Sequence, residues 1–400
     1  MELERERGIT IKSHPVRMFY HRKENGESYQ LNLIDTPGHV DFSYEVSRSL
    51  AACEGAVLVI DAAQGVQAQT VANVNLAMQQ GLRLIPILNQ IDLPAADTPT
   101  CMKHLEDMLA LPAEEALLVS AKEDIGIDEL LERIVSDIPP PGDEDVREVR
   151  GLVFDSVYNA YRGVVSYVRI FSGAIHTGEE VRLYNNDIST YIKEIGVFSP
   201  QMSAVEELDE GEVGYVITAI KDPGDVPVGD TITLLQSPCS TPLPGFKEVK
   251  PTVFSGIYPA ESSDFDELSY SISRLRLNDT AFVAQPENST ALGAGFRCGF
   301  LGLLHMEIVQ ERLSREYDID IILTYPSVVY RVYTKDGQMQ EIENPVHLPE
   351  AGNLERIEEP VIDAQVIIPV EYLGNVMNLI FEKRGSCKET ETADEHHVVV

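Results

Sequence analysis

The sequence has few cysteines and no long apolar segment. Its five cysteines are Cys53, Cys101, Cys239, Cys298 and Cys387, and no two of them form a C-x-x-C pair. That spacing argues against a zinc site and a disulfide scaffold, so we expect a cytoplasmic protein in a reducing compartment. No stretch approaches the roughly 18 uncharged apolar residues of a membrane-spanning helix.

Basic residues are also scarce, with 31 Lys+Arg against 65 Asp+Glu and a formal net charge of −34. Phosphate backbones attract basic surfaces, so this charge argues against broad electrostatic binding to nucleic acid. The deficit is uneven along the chain: residues 51–145 carry 4 basic and 17 acidic residues, whereas residues 1–50 carry 7 and 8. The first 50 residues are therefore expected to repel an anionic partner least.

The length and composition are those of a multidomain globular protein. A chain of 400 residues is expected to form about two to four domains. With 44% hydrophobic and 24% charged residues, the chain can bury ordinary cores.

The first 140 residues alternate between apolar strands and amphipathic helices. This pattern predicts a parallel sheet that is covered by helices on both faces. Ligands bind at the carboxyl ends of the strands in such sheets, and polar residues follow the predicted strands here. The predicted strands are residues 29–35, 55–61, 83–89 and 115–120, and the predicted helices are residues 41–53, 66–80, 99–110 and 126–138.

The first predicted strand ends at Asp35-Thr36-Pro37-Gly38-His39. An Asp at a strand end can hold a water of Mg²⁺, and a Gly can offer its N–H to a terminal phosphate without a side chain in the way. His39 can position an attacking water. Taken alone, however, these residues are also typical of a turn.

Two more strand ends carry polar residues. Asn89-Gln90-Ile91-Asp92 follows the third predicted strand, and Ser120-Ala121-Lys122 follows the fourth. Asp92 can accept two hydrogen bonds from guanine, although Asn-x-x-Asp alone is usually a loop. Upstream, the Thr10 hydroxyl suits Mg²⁺ and lies in a stretch with little helix or strand pattern, of the kind that a γ-phosphate can order.

Together these segments resemble translational GTPases, and within them the LepA, or elongation factor 4, family. The resemblance covers essentially all 400 residues. Besides the three strand ends, it is carried by ERERGIT at residues 4–10, DTPGHVDF at residues 35–42, YEVSRSLAACEG at residues 44–55 and FRCGFLGLLHME at residues 296–307. We call residues 4–10 the first switch segment and residues 35–42 the second.

The resemblance implies a role for each motif residue, with Mg²⁺ bound together with GTP. Thr10 would be a ligand of the metal and Asp35 would hold the metal through a water. His39 would orient the hydrolytic water. Asn89 and Asp92 would read guanine. The implied GTP-binding residues are Asp35, Thr36, Pro37, Gly38, His39, Asn89, Gln90, Ile91, Asp92, Ser120, Ala121 and Lys122.

Two departures from the family pattern affect this expectation. The P-loop, G-x-x-x-x-G-K-[ST], does not occur in the 400 residues, and Gln90 stands where the family has Lys. We therefore expect a P-loop-type parallel-sheet GTPase domain lacking its first strand, P-loop and helix. Because the family extends past both ends of this chain, we also expect a fragment or a truncated gene model.

The fold class predicted for the whole chain is multidomain α/β and β. Short strands with glycine turns after residue 150 predict a β-barrel, and a βαβ-type pattern after residue 250 predicts a ferredoxin-like α+β unit. The resemblance adds an incomplete elongation-factor-G-like α+β domain at the end. The predicted domains are residues 1–145, 146–245, 246–332 and 333–400.

Two other features have simpler interpretations. Gly293-x-Gly295 suggests a dinucleotide site, but its third Gly is misplaced and its strand belongs to no parallel unit, so we reject a nicotinamide enzyme. His305 lies in an apolar context and is expected to be a structural histidine rather than a metal ligand.

The resemblance implies a ribosome-associated enzyme that hydrolyses GTP and acts on elongation, including back-translocation and the fidelity of protein synthesis under stress. Its implied partners are the ribosome, through rRNA and ribosomal proteins, as well as tRNA and GTP or GDP. A monomer is expected, in the cytoplasm or peripheral on the cytoplasmic face of the cell membrane. The alternative is a non-hydrolysing fragment that acts at most as a ribosome- or partner-binding module.

Overall fold

A computed structural model describes residues 2–23, 26–142, 148–159, 161–246, 250–279, 281–289, 291–324, 328–342, 347–392 and 397–400. Within these ranges, none of the helices combines the length and apolar character needed to cross a membrane.

The first 142 residues contain a parallel sheet, an antiparallel hairpin and surrounding helices. Strands β3, β4 and β5 are parallel in the order β3-β4-β5. In chain order the elements are α1 (Glu2–Arg7), β1 (His14–His21), β2 (Ser28–Asp35), α2 (Ser43–Leu50), β3 (Gly55–Asp61), α3 (Ala68–Gln79), β4 (Arg83–Asn89), α4 (Thr98–Leu109), β5 (Leu117–Leu118) and α5 (Ile127–Asp137).

Both faces of this sheet are covered, as predicted. Apolar residues of α2, α3 and α4 pack on one face around Ile60 and Leu88. On the other face, residues of α5 pack against Ile85, Ile87 and Leu117. Strand β4 is therefore buried on both faces, which explains its uninterrupted apolar sequence.

Residues 29–35 form a strand, as predicted, but the prediction that this strand belongs to the parallel sheet is wrong. Strand β2 instead pairs antiparallel with β1, with His14 opposite Asp35. Strand β1 has no alternating apolar pattern. Met18 and Phe19 are adjacent and both exposed, with Phe19 at 63%, and the buried Tyr20 follows them directly.

The second unit is an antiparallel β-barrel, as predicted. Its sheet has the order β11-β10-β13-β7-β6-β14-β9, and β9 also pairs with β10, which closes the sheet on itself. Aliphatic side chains fill the interior. The strands are β6 (Arg150–Asn159), β7 (Gly163–Ser172), β8 (Ile175–His176), β9 (Glu180–Leu183), β10 (Ile188–Ser199), β11 (Gln201–Val205), β12 (Glu207–Leu208), β13 (Val213–Thr218) and β14 (Thr231–Leu234).

The third unit has the predicted ferredoxin-like βαββαβ order. Its antiparallel sheet has the order β16-β17-β15-β18, and helices α6 and α7 pack on it through a shared apolar core. Strand β17 is antiparallel to both neighbours, which agrees with the rejection of a dinucleotide site. The elements are β15 (Val253–Pro259), α6 (Phe265–Asn278), β16 (Val283–Ser289), β17 (Gly293–Phe300), α7 (Leu303–Tyr317) and β18 (Ile321–Leu323).

After β18, the described residues form two small sheets, β20-β19-β21 and β22-β24-β23, and one α-helix. Strand β19 crosses the predicted domain boundary between residues 332 and 333. The division into four domains otherwise stays a prediction. The elements are β19 (Tyr330–Thr334), β20 (Met339–Ile342), β21 (Leu354–Glu358), β22 (Ile367–Pro369), α8 (Leu373–Glu382), β23 (Glu391–Thr392) and β24 (His397–Val399).

Arg169 of the barrel fastens the barrel to the α/β unit. Its side chain is 3% exposed, and its guanidinium donates hydrogen bonds to the carbonyl of Ala52 at 2.8 Å and to Oε1 of Glu54 at 2.6 Å. Both acceptors follow helix α2. A buried guanidinium with these partners holds the end of that helix against strand β7.

We expect Arg169→Ala to destabilise the protein by about 2–3 kcal/mol, because it leaves a buried carbonyl and a carboxylate without their donor. Chemical unfolding with a fluorescent probe measures the change. Arg331→Ala is the matched control, because Arg331 is 58% exposed and pairs only across a surface strand pair. Equal shifts of the midpoint in the two variants would contradict the role of Arg169.

Candidate functional site

The structure brings the third and fourth predicted strand ends together. The hydroxyl of Ser120 donates a hydrogen bond to Oδ1 of Asp92 at 2.7 Å, and the N–H of Ala121 donates to Oδ1 of Asn89 at 3.2 Å. Asn89 is the last residue of β4, and Gln90 then adopts a left-handed conformation with φ 64°. This reversal turns the chain so that residues 89–92 face residues 120–122.

An open cavity of about 300 Å³ lies between these two segments. Nearly all of its lining comes from residues that the sequence predicted as a base-recognition site, and Leu93 is the addition. The lining residues are Asn89, Gln90, Asp92, Leu93, Ser120, Ala121 and Lys122.

The carboxyl group of Asp92 is held in its ionised form. The hydrogen bond from the Ser120 hydroxyl lowers the pKa of Asp92 below its usual value. An ionised carboxylate has about four acceptor positions, so the bond from Ser120 leaves room for two further donors from a ligand.

A tight turn positions Ser120. The backbones of Ser120 and Ile125 exchange two hydrogen bonds of 3.0 Å, and Gly126 follows with φ 73°. A Cβ at Gly126 would lie 2.5 Å from the carbonyl oxygen of Leu118. Gly126 is therefore required both by its conformation and by the close approach of the backbone.

The two predicted metal ligands also meet. Oγ1 of Thr10 donates a hydrogen bond to Oδ2 of Asp35 at 3.3 Å. Hydroxyl and carboxylate oxygens suit Mg²⁺ and its bound waters. The pair therefore fits this ion, with Thr10 as a ligand and Asp35 as the acceptor for a metal-bound water, and substrate oxygens and further waters would complete the set. Within the described residues, three or more His, Cys, Asp or Glu side chains do not converge on any metal position.

The second switch segment is anchored at Gly38 by a residue of helix α3. Nδ2 of Asn73 donates a hydrogen bond to the carbonyl of Gly38 at 3.0 Å. A Cβ at Gly38 would meet no atom within 4 Å, whereas the preceding Pro37 is buried. Open space therefore surrounds Gly38, as contact with a phosphate requires.

The side chain of His39 is 38% exposed, and its tautomer is set by the backbone. Nδ1 of His39 accepts a hydrogen bond from the N–H of Asp41 at 3.1 Å. The neutral imidazole therefore carries its proton on Nε2, which can donate to a water. In this tautomer both ring nitrogens are committed, Nδ1 as an acceptor and Nε2 as a donor, so the imidazole can donate to a water but has no free nitrogen to accept its proton.

Other predicted residues are less closely engaged. Lys122 is exposed and pairs with Glu123 at 3.7 Å, and the N–H of Ile91 donates to the carbonyl of Val119 at 3.4 Å. Thr36 is half-buried between Asp35 and Pro37. The metal pair lies at the end of the β1–β2 hairpin and the cavity at the end of the parallel sheet, rather than along one sheet as the sequence predicted.

Sequence reasoning missed two residues of this region. Asp61 ends strand β3, and its carboxylate accepts hydrogen bonds from the N–H of Ala63 at 2.8 Å and from Nε2 of Gln64 at 2.9 Å. Its position at a strand end is the same signal that identified Asp35. Asn73 carried no signal, because its contact with the switch depends on the packing of α3.

Comparison with known sequences assigns the chain to a family. The pattern of the elongation factor Tu GTP binding domain matches residues 1–140, and that of elongation factor Tu domain 2 matches residues 163–233. The chain is 52% identical over 400 residues to elongation factor 4 of Protochlamydia amoebophila and 52% identical over 398 residues to that of Chlorobaculum tepidum. Both alignments cover 100% of this chain. The chain belongs to the elongation factor 4 family.

The chain spans 66% of the length of these two family members. A solved structure from Thermus thermophilus has the same fold, with a TM-score of 0.73 over 100% of this chain and 85% of the other, at 16% identity. Family membership confirms the resemblance that the motifs indicated. The roles of individual site residues stay predictions.

Proposed function

We propose that this chain forms the nucleotide-binding and switch portion of a ribosome-associated translational GTPase that acts on elongation. The observation that carries the proposal is the cavity between residues 89–92 and residues 120–122, with the ionised Asp92 at its edge. Its location after two parallel strands is where α/β sheets bind ligands, and the family's matched domain is a GTP binding domain.

In this proposal, the base is selected by charge and hydrogen-bond complementarity. The carboxylate of Asp92 accepts hydrogen bonds from the ring N–H and the exocyclic amine of guanine. Adenine lacks that pair of donors, so it leaves the carboxylate unsatisfied. Asn89 and Ser120 act through the two hydrogen bonds that hold the two segments of the cavity together.

Hydrolysis is assigned to the switch segments. Thr10 and Asp35 would hold Mg²⁺, which supplies positive charge to the phosphates when it is bound. The space beside Gly38 is open, and its N–H would contact the terminal phosphate. His39 donates from Nε2 to the attacking water, so its contribution is to orientation in the transition state.

The proposed partners are the ribosome, with GTP or GDP as ligand, and the proposed location is the cytoplasm. Ribosome contact through the switch side agrees with the charge distribution, because the first 50 residues are near balance while residues 51–145 are strongly acidic. Contact with tRNA, peripheral membrane association, a monomeric state and action in back-translocation or under stress rest on the family resemblance alone.

Nucleotide titration tests this proposal. We define the joined protein as this chain fused behind the strand–P-loop–helix segment of a family member. The joined protein should bind GTP more tightly than the 400-residue chain by about 10²-fold or more, because a P-loop adds several charge-assisted hydrogen bonds. A fluorescent GTP analogue measures both affinities, with ATP as competitor.

Two outcomes would contradict the proposal or part of it. Equal competition by ATP and GTP in the joined protein would remove the guanine assignment. Sub-micromolar binding of GTP by the 400-residue chain alone would show that the cavity and switch segments hold the nucleotide without a P-loop.

A further inference from the structure

The second switch segment is attached to the ferredoxin-like unit through Asp41. Oδ2 of Asp41 accepts hydrogen bonds from the N–H of Leu304 at 3.0 Å and from the N–H of His305 at 3.4 Å. Both N–H groups belong to the first turn of helix α7, where the helix itself supplies no acceptor for them. Asp41, more than 260 residues earlier in the chain, therefore acts as the N-terminal cap of that helix.

Gly302 makes room for this contact. Its backbone is extended, with φ −167°, a conformation open to any residue. A Cβ at Gly302 would, however, lie 2.3–2.4 Å from the carboxylate atoms of Asp41. The glycine is thus explained by the approach of Asp41 rather than by the backbone. An added methyl group would displace the Asp41 side chain, which can rotate, rather than a rigid part of the fold.

Apolar contacts bring both switch segments to the same helix. Phe42 is 4% exposed and packs in a cluster with Leu3 and Ile11 from the first segment of the chain and with Ile308 from α7. The rings of Phe42 and His305 meet edge-on at 6.3 Å. The residues that flank the metal pair and His39 are therefore packed on α7.

Ion pairs reinforce this attachment. Nη1 of Arg7 lies 3.2 Å from Oε2 of Glu307, and Arg7 also pairs with Glu311. Arg315, one turn further along α7, pairs with Glu6 at 2.5 Å. Helix α7 thus offers charged partners to the first switch segment and its N-terminus to the second.

A short chain of contacts connects α7 to His39. The N-terminus of α7 holds the carboxylate of Asp41, and the N–H of the same residue donates to Nδ1 of His39. When the carboxylate loses these hydrogen bonds, the backbone of Asp41 is no longer held against α7, and its N–H is the group that sets the tautomer and direction of the imidazole. The far side of this helix end is itself fixed, because His305 accepts from the N–H of Leu301 at 3.0 Å and contacts Oδ2 of Asp279 at 2.8 Å.

We propose that Asp41 is a positioning residue through which helix α7 of the ferredoxin-like unit aims His39. This inference rests on the proposed GTPase function for its kinetic consequence, but its structural part does not. Docking of the ferredoxin-like unit then controls the rate of hydrolysis. A movement of α7 relative to the α/β unit changes the direction of His39 without changing the base cavity.

Gly302→Ala tests the proposal because it displaces the carboxylate of Asp41 and leaves every proposed ligand-binding side chain in place. In the 400-residue chain, we expect the Leu304 amide to exchange with solvent about tenfold faster or more, and the ¹⁵N signals of His39 to shift toward a mixture of tautomers. In the joined protein, we expect ribosome-stimulated turnover to fall by about 3- to 30-fold, while GTP affinity stays within about twofold.

Gly374→Ala is the matched control, because a Cβ there would meet no atom within 4 Å and should change none of these quantities. Asp41→Asn keeps the size of the side chain and removes its charge, so it should shift the same quantities in the same direction. If Gly302→Ala lowers the unfolding midpoint more than the control does, Asp41→Asn replaces it as the test variant.

The possible failures are distinguishable. If the wild-type joined protein shows no ribosome-stimulated hydrolysis, the proposed function fails, while the His39 signals and Leu304 exchange still test the attachment. If wild type hydrolyses GTP and both Gly302→Ala and Asp41→Asn leave turnover unchanged, the positioning role is overturned. An equal loss of GTP affinity and turnover would also overturn it, because the contact would then support binding rather than the orientation of His39.

Discussion

Replacing Asp92 by Asn in the joined protein should transfer the nucleotide preference from GTP to XTP, by about 10²-fold or more in the ratio of affinities. The Asn side chain keeps the shape of Asp92 but turns one acceptor into a donor. That donor opposes the exocyclic amine of guanine and pairs with the carbonyl that xanthine has in its place. Competition between GTP and XTP on wild type and variant measures the transfer.

Gln90→Lys is the matched control for this experiment. Gln90 lines the same cavity, and we expect its side chain to pack along the nucleotide without reading the base edge. The added Lys should raise the affinity for nucleotide and leave the GTP to XTP ratio unchanged. If Asp92→Asn retains the preference for GTP, residues 89–92 are only a loop after a strand, and the guanine assignment is wrong.

Replacing His39 by Ala should lower ribosome-stimulated GTP hydrolysis by about 10²-fold or more while leaving GTP affinity nearly unchanged. The imidazole is proposed to donate from Nε2 to the attacking water, a contact that belongs to the transition state. Single-turnover hydrolysis on ribosomes and equilibrium binding of a GTP analogue separate the two effects.

His176→Ala is the control for His39. His176 is about half exposed on the barrel and contacts Glu179 and Glu207, so its loss should affect neither rate nor affinity. Equal losses of binding and turnover in His39→Ala would make His39 a structural residue of the second switch segment.

The strand ends of the parallel sheet could be predicted because their signals are local. The run LIPIL at residues 84–88 is apolar throughout and requires burial on both faces, and the polar residues that follow it must emerge at the sheet's edge. Asn89, Asp92 and Ser120 were found in this way. Strand β1 carries no such signal, because Met18, Phe19 and Tyr20 are consecutive and the apolar residues of the strand do not alternate.

The amino-acid sequence by itself determined the family, the order of the α/β, barrel and ferredoxin-like units, and the residue types of the candidate site. These depend on short-range periodicity and on motifs of a few residues, which can be recognised in the sequence alone. Only the tertiary structure decided that Ser120 holds Asp92, that Asn73 holds Gly38, and that Asp41 caps helix α7. Each of these contacts joins residues that are far apart in the chain, through the packing of whole elements. A hydrogen bond of about 3 Å forms only when those elements pack in one arrangement, and the periodicity of a sequence does not specify that arrangement.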